Sequence, residues 1–330
     1  MTATLPTVSV CCITYNHERY LAQAIESVLA QKTDFFVEMI IGEDCSPDQT
    51  RAVALEYERR YPGQVRVLAH SKNLGIMGNL MATRAAGNGE FMAFLEGDDF
   101  WTDTSKLQRQ VDALRASKTS AMCFHDAEFI YENNNIVQGL ALSNQPVSFS
   151  AFFSTILAPS GPNERPVSYS QTDIARLGWF IPSASMLFRN SSLPQPLPAW
   201  YAGVFSGDYT LQLLSTSQGS AIYLPRQMSA YRHHAGGAMH TMHNTLEQNE
   251  RRIWENEHYR TVFGPALAPY FEPSLEHYYF ERSEKMGVNG QRGRQLYYYG
   301  KAITINSSRL WHHLGRLGRR LLKRPNTAEA

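Results

Sequence analysis

The chain has 330 residues, enough for one large core or a core with an appended lobe. Its 18% charged and 43% hydrophobic residues are those of an ordinary globular protein, and a formal net charge of +1 excludes the whole-molecule basic field that grips nucleic acid. Four cysteines without a CxxC pair exclude a disulfide scaffold and point to a reducing compartment. The N-terminus "MTATLPTVSVCC" lacks a basic start followed by an apolar signal core, and no apolar run approaches the length of a spanning helix. A cytoplasmic protein is expected.

Short apolar runs alternate with helical patterns over the first 130 residues. "VSVCCI" (8–13) precedes a stripe of Leu21, Ile25, Val28 and Leu29, and "VEMIIG" (37–42) precedes Val53, Leu55 and Tyr57. "VRVL" (65–68) leads into a helix near 76–86, and "FMAFL" (91–95) into Leu107, Val111 and Leu114. Strands that are apolar on both faces and separated by helices predict an α/β protein with a mainly parallel sheet.

Between 140 and 175 the pattern fails in a Ser-, Pro- and aromatic-rich stretch that reads as a long insertion loop. Order returns at "IPSASMLF" (181–188). A helix is predicted from near Gly207 to Gly219, then a strand at "AIYLP" and a flexible loop at "YRHHAGG" (231–237). Beyond 244 the pattern is helical. The boundary expected from this is an α/β domain over 1–240 and a helical extension over 241–330.

In open parallel sheets ligands bind beyond the carboxyl ends of the strands. The polar segments "TYNHE" (14–18), "EDCS" (43–46), "HSKNLG" (70–75) and "EGDD" (96–99) all follow strands, so four loops supply one pocket. Carboxylates gathered at 96, 98 and 99 repel one another, by roughly 4 kcal/mol for a pair about 4 Å apart at an effective dielectric near 20. A cation removes that cost. The competing reading is an acidic turn that caps the next helix.

The ordered set "VSVCCITYNHERYLAQAIESVLAQ", "IIGEDCSPDQT", "NLG", "FMAFLEGDDFW", "SGDYTL" and "YRHHAGG" resembles the inverting family-two glycosyltransferases of GT-A fold, over roughly residues 7–237. No GxGxxG follows the first strand, which disfavours a dinucleotide site. The resemblance implies a GT-A domain that moves a sugar from a nucleotide diphosphate, a UDP-sugar in the first instance, to a saccharide or lipid-linked acceptor in surface polysaccharide or glycoconjugate synthesis. It implies that Thr14, Tyr15, Asn16, Glu18 and Asp44 contact the nucleoside. Asn16 and Glu18 also fit plain capping of the first helix. Glu43 stands where the family usually has its first aspartate, and Cys45 where it often has glycine.

Residues 96–99 correspond to the family's D-x-D element, with Glu96 in place of its first aspartate. Asp98 and Asp99 are expected to serve the metal and the ribose or phosphates, and oxygen ligands favour Mn²⁺ or Mg²⁺ over zinc. By resemblance His234 completes the metal site, and Arg232 reaches the diphosphate. Asp208 is the expected base that deprotonates the acceptor hydroxyl; read without the resemblance, it is an acid at a helix N-terminus. Phe100 and Trp101 are packing residues or an acceptor platform.

The tail carries Leu310, Leu314, Leu317 and Leu321 at helical spacing beside Arg316, Arg319, Arg320, Lys323 and Arg324. Such a helix over 307–324 suits either an anionic membrane surface or docking on the catalytic domain. Two other readings of the chain are a noncatalytic sugar-nucleotide or glycan-binding protein of the same fold, and a nucleotidyltransferase. The latter calls for a Gly-rich basic loop near the first strand, where "TYNHERY" stands instead.

Overall fold

The computed structural model describes residues 7–131, 147–152, 154, 156–157, 165–237 and 245–305. The chain divides into two compact units, Met1–His243 and Asn244–Ala330. The tail stripe at 307–324 lies outside the described residues.

The first unit is built on β1 (Val8–Thr14), β2 (Val37–Glu43), β3 (Val65–Ala69) and β4 (Phe91–Glu96), hydrogen-bonded in the order β3-β2-β1-β4 and all parallel. Val8 is paired with Val37 on one side and Phe91 on the other. Consecutive side chains on β1 point to opposite faces, yet Val8, Val10, Cys11 and Cys12 are all fully buried, so helices must cover both sides. On α1 (Leu21–Leu29) the buried residues are Leu21, Ala24, Ile25 and Val28, a single stripe at i, i+3, i+4 and i+7. On α2 (Thr50–Arg60) the buried face is Thr50, Ala54 and Tyr57, while Leu55, expected in the stripe, is exposed. The small Ala54 lets the helix sit close to the sheet, and the apolar-only count passed over it. Gly75–Ala86 and Lys106–Ala116 form α3 and α4.

The remainder of the sheet is mixed. The short strand β5 (Phe100–Trp101) follows the acidic turn, and β6 (Ser120–Tyr131) is a twelve-residue strand. β9 (Leu187–Arg189) runs antiparallel to both β4 and β6 and joins the two halves. Two antiparallel steps restore the original direction, and β10 (Ser220–His233) is parallel to β6. The carboxyl end of β10 therefore lies at the same edge of the sheet as that of β4. "YRH" at 231–233, expected in a loop, is the end of this strand, because its residues pair with Phe129, Ile130 and Tyr131 of β6.

The stretch expected to be an insertion loop contains β7 (Val147–Ser148), α5 (Phe149–Phe152), β8 (Val167–Tyr169) and α6 (Gln171–Leu177) among its described residues. β7 pairs with β6, and β8 with β10. Ser170 and Asp173 form a reciprocal capping box that starts α6, so the serine and aspartate that suggest a loop mark a helix N-terminus. Tyr201 is fully buried in the turns that lead to α7 (Gly207–Thr216).

The second unit holds α8 (Leu246–Val262), α9 (Ala268–Val288) and α10 (Arg292–Ile305). Thr245 and Gln248 make a capping box at the start of α8. Ile253, Leu275, Tyr279 and Ala302 form the centre of its core. Among the described residues no helix is long and apolar enough to cross a membrane.

Lys106 is fully buried at the start of α4, its Nζ 2.8 Å from Gln110 Oε1 and 3.9 Å from the centre of the Trp101 ring. Burial pulls its ammonium down to about 7 from 10.5. Between those values the folded chain binds fewer protons here than the unfolded chain, so this group makes stability rise with pH, by at most about 1.4 kcal/mol per unit. Urea unfolding at pH 7 and pH 9.5 should show that gain in the native chain and a smaller one in Lys106→Met.

Candidate functional site

The site begins where β1 and β2 end. Asn16 and Cys45 both occupy the left-handed region, at φ 59° and 60°, which turns each loop sharply after its strand. The two loops are then laced together. Asp44 N donates to Thr14 O at 3.1 Å, Asn16 N to Ser46 Oγ at 3.1 Å, and His17 N to Thr50 Oγ1 at 2.8 Å. Glu18 N donates to Asp48 Oδ2, and the Glu18 carboxylate accepts in return from Gln49 N at 2.8 Å. Glu18 thus supports the start of α2 rather than capping α1, whose N-cap Tyr20 makes no side-chain capping bond.

Asp44 is buried, and its Oδ1 accepts from Leu74 N at 2.7 Å while its carbonyl accepts from Asn73 Nδ2. This holds the "NLG" loop against the end of β2. Glu43, fully buried, accepts from Ser46 N and from Arg51, whose guanidinium also donates to His70 O. The Glu-for-Asp replacement is accounted for by that brace: the longer carboxylate reaches Arg51 and shapes the loop. Tyr15 is 42% exposed, which leaves an aromatic face open to a planar ligand.

β4 then delivers the acids. Gly97 N donates to Ile13 O, and a Cβ at Gly97 would lie 2.5 Å from Thr14 Oγ1 and 2.9 Å from His17 Nδ1. Only glycine fits there. The turn places Asp98 and Asp99 in the interior, 6% and 2% exposed. Asp98 Oδ2 lies 3.0 Å from His234 Nε2 and 3.6 Å from His17 Nε2. Asp99 Oδ1 accepts from Arg232 N at 2.8 Å, and Arg232 Nε donates to Asp98 O at 2.8 Å. The same guanidinium reaches Gln23 Oε1 and lies over the rings of Tyr20 and Phe100. Trp101 is buried and donates to Ala184 O, so it packs beneath the site.

Two carboxylate oxygens in this turn, Asp98 Oδ1 and Asp99 Oδ2, are buried with no hydrogen-bond partner among the described residues. Burying an unsatisfied carboxylate is costly, so these oxygens fit a bound cation. Burial pushes Asp98 up, but the imidazoles of His17 and His234 outweigh it and hold the group below the ordinary carboxylate range. Asp99 is driven well above that range, by burial first and then by the charges of Asp98 and Glu96. Removal from water, followed by Asp98 and Asp208, pushes Glu96 up to about 8. His17 is lowered, chiefly by burial, which favours the neutral imidazole.

Asp208 stands in the first turn of α7, with its Oδ2 accepting from Trp179 Nε1 at 3.1 Å. Burial raises its carboxyl. Its charge acts on Glu96, and Tyr231 is raised by burial and then by Glu96, Asp99, Asp98 and Asp208 together. Those four acids all lie near enough to Tyr231 to act on it. His233, next to the candidate ligand His234, instead packs its ring among Phe129 and Tyr231.

Thr14, Tyr15, Asn16, Glu18 and Asp44 thus lie in the laced loops that follow β1 and β2, Asp98, Asp99, Arg232 and His234 meet at the end of β4, and Asp208 is close enough to act on Glu96. His17, Trp179 and Tyr231 are neighbours of these acids that the sequence reading did not single out. His17 lies between two residues that it did name, which was a usable signal. Trp179 had none, because it enters from the stretch before β9.

Residues 9–165 match the family described as Glycosyl transferase family 2. The chain belongs to that family. This family-2 glycosyltransferase is 30% identical over 314 residues to the uncharacterized protein Rv1520 of Mycobacterium tuberculosis, an alignment spanning 91% of this chain and 79% of the relative. Over 143 residues, 43% of this chain and 53% of the relative, it is 29% identical to an Escherichia coli protein, UDP-Glc:alpha-D-GlcNAc-diphosphoundecaprenol beta-1,3-glucosyltransferase WfgD. Its fold is similar to that of Staphylococcus aureus TarS 1-349, crystallised with UDP-GlcNAc, with a TM-score of 0.57 at 15% identity over 91% of this chain and 81% of that one. The mannosyltransferase PcManGT of Pyrobaculum calidifontis, in complex with GDP-Man and Mn²⁺, gives a TM-score of 0.50 at 13% identity over 98% and 82% of the two chains. The fold is GT-A.

Because the folded-state carboxyl of Asp99 is raised, folding takes up a proton there once pH exceeds the unfolded value, and this group costs stability as pH rises. In EDTA, thermal unfolding of the native chain should lose more stability between pH 5.5 and 8 than Asp99→Asn does, by about 1–3 kcal/mol. Added Mn²⁺ should restore the native chain and leave the variant unmoved.

Proposed function

We propose that the chain catalyses metal-dependent, inverting transfer of a sugar from a nucleoside diphosphate sugar to a hydroxyl of a saccharide or lipid-linked acceptor. The observation that carries this reading is the pair of buried oxygens on Asp98 and Asp99 that have no partner among the described residues, in a turn whose Glu96 is close enough to feel the charge of Asp208. A nucleoside fits between the open face of Tyr15 and the loop that Asp44 holds, with Thr14, Asn16 and Glu18 shaping its edge. UDP is the favoured nucleotide, supported by relatives and structural neighbours named for UDP-sugars.

Asp98, Asp99 and His234 would hold Mn²⁺ or Mg²⁺, with Arg232 beside the diphosphate. When bound, the cation neutralises the charge that grows on the departing diphosphate. Asp208 takes the proton of the acceptor hydroxyl as that oxygen bonds to the anomeric carbon. The bond from that carbon to the diphosphate oxygen breaks on the opposite face, which inverts the configuration. Trp179 orients the base by donating to its Oδ2. Burial makes Asp208 a stronger proton acceptor than a solvated carboxylate, which suits abstraction from an alcohol.

A role in surface polysaccharide or glycoconjugate synthesis, on the cytoplasmic face of a membrane with 307–324 against anionic lipid, belongs to the same proposal. WfgD, whose name specifies a diphosphoundecaprenol-linked saccharide, supports it.

Product analysis with UDP-sugars and Mn²⁺ should give UDP and a glycoside of inverted anomeric configuration by proton NMR. Donor bound but intact, or pyrophosphate released, would refute the reading. Asp208→Asn should fold, bind UDP as before and lose about 10²- to 10⁴-fold in kcat. Trp179→Phe, which removes the N–H but keeps the ring, should lower kcat by roughly 10-fold with little change in donor KM.

A further inference from the structure

We propose that His17 is a direct ligand of the cation centre, adding a second imidazole to the Asp98, Asp99 and His234 set and so favouring Mn²⁺ over Mg²⁺; this rests on reading the site as that of a metal-dependent transferase. One ligand atom from each of His17, Asp98 and His234 lies within 4.8 Å of the other two. Metal–ligand bonds of about 2.1 Å place neighbouring ligands about 3 Å apart and opposite ligands about 4.2 Å apart. His234 Nε2 and His17 Nε2 meet Asp98 Oδ2 at 3.0 and 3.6 Å, the first at the neighbouring spacing and the second between the two spacings.

The alternative role for His17 is to hold Asp98 by a hydrogen bond. At 3.6 Å that contact exceeds hydrogen-bond length, whereas His234 already supplies one at 3.0 Å. His17 also has the support typical of a metal-bound histidine, whose second ring nitrogen is fixed by a polar neighbour. Its Nδ1 is 3.3 Å from Thr14 Oγ1. Its backbone is pinned at both ends, with N donating to Thr50 Oγ1 and O accepting from Tyr20 N and Leu21 N. Gly97 then closes the space behind it, since any Cβ there would strike both Thr14 and the His17 ring. A ring held so firmly, with its Nε2 3.6 Å from the Asp98 carboxylate and beyond hydrogen-bond reach of it, is built to present a lone pair.

The donor set changes the expected metal. Carboxylate oxygens alone suit Mg²⁺, while imidazole suits first-row transition ions, whose affinity rises from Mn²⁺ towards Cu²⁺. Two imidazoles therefore tilt the centre away from Mg²⁺ and towards transition ions, Mn²⁺ among them.

The test uses the full chain, stripped of metal and titrated with Mn²⁺ in the presence of UDP, with free Mn²⁺ read by electron paramagnetic resonance. Pulsed measurements of the bound ion should show nitrogen couplings from two imidazoles. His17→Gln should lose one of them, bind Mn²⁺ at least 10-fold more weakly and narrow the Mn²⁺/Mg²⁺ preference, with circular dichroism unchanged. His234→Gln should lose the other. A native spectrum with a single imidazole coupling, retained in His17→Gln, would overturn the assignment while leaving a metal-dependent transferase intact. Mn²⁺ binding that is absent, or indifferent to Asp98→Asn, Asp99→Asn and His234→Gln, would instead remove the metal-dependent reading itself. The native spectrum alone counts the imidazoles, so the result stands even if a variant misfolds.

Discussion

The structure depends on the carboxylates at the end of β4 being balanced by groups that arrive from elsewhere in the chain. Glu96, Asp98 and Asp99 come from one turn and act on one another. The His17 and His234 imidazoles stabilise charge on Asp98, and the Arg232 backbone stabilises charge on Asp99. None of these is local in sequence. The ends of β1 and β10 have to flank the end of β4, and the sheet order does this by placing β1 beside β4 and by returning β10 to the same direction. The two oxygens without partners among the described residues mark where the balance is left open.

The donor half of the fold was legible in the sequence because its signals are local and redundant. β1 to β4 are short runs apolar on both faces, and each is followed by polar residues at the one edge where a parallel sheet gathers its loops. That logic led to Asp44, Asp98 and Asp99 without any knowledge of distance. It also made "EGDD" stand out, since three acids after a buried strand need an explanation that solvation alone does not give.

The second half was less legible, for physical reasons. β6 and β10 are long strands with polar and titratable residues inside them, such as His125, Asp126 and Arg232, so hydropathy breaks them into pieces. Pairing restores them: Tyr231–His233 read as a loop alone and are strand beside β6. In the 147–177 region, Ser170 and Asp173 look like loop composition until their mutual capping bonds are seen. His17 was hidden differently. It sits in a motif whose other members had evident tasks, and only the distances to Asp98 and Thr14 give it one.

Arg232 has a consequence for the order of assembly. Its backbone N–H meets Asp99, and its guanidinium meets Asp98 and Gln23, residues more than 130 positions earlier in the chain. During synthesis the first four strands leave the ribosome long before these counter-groups exist. A nascent chain that stops short of β10 carries the acidic turn without the strand that supplies these partners. The strand that carries Arg232 thus supplies partners that the acidic turn lacks until β10 is in place.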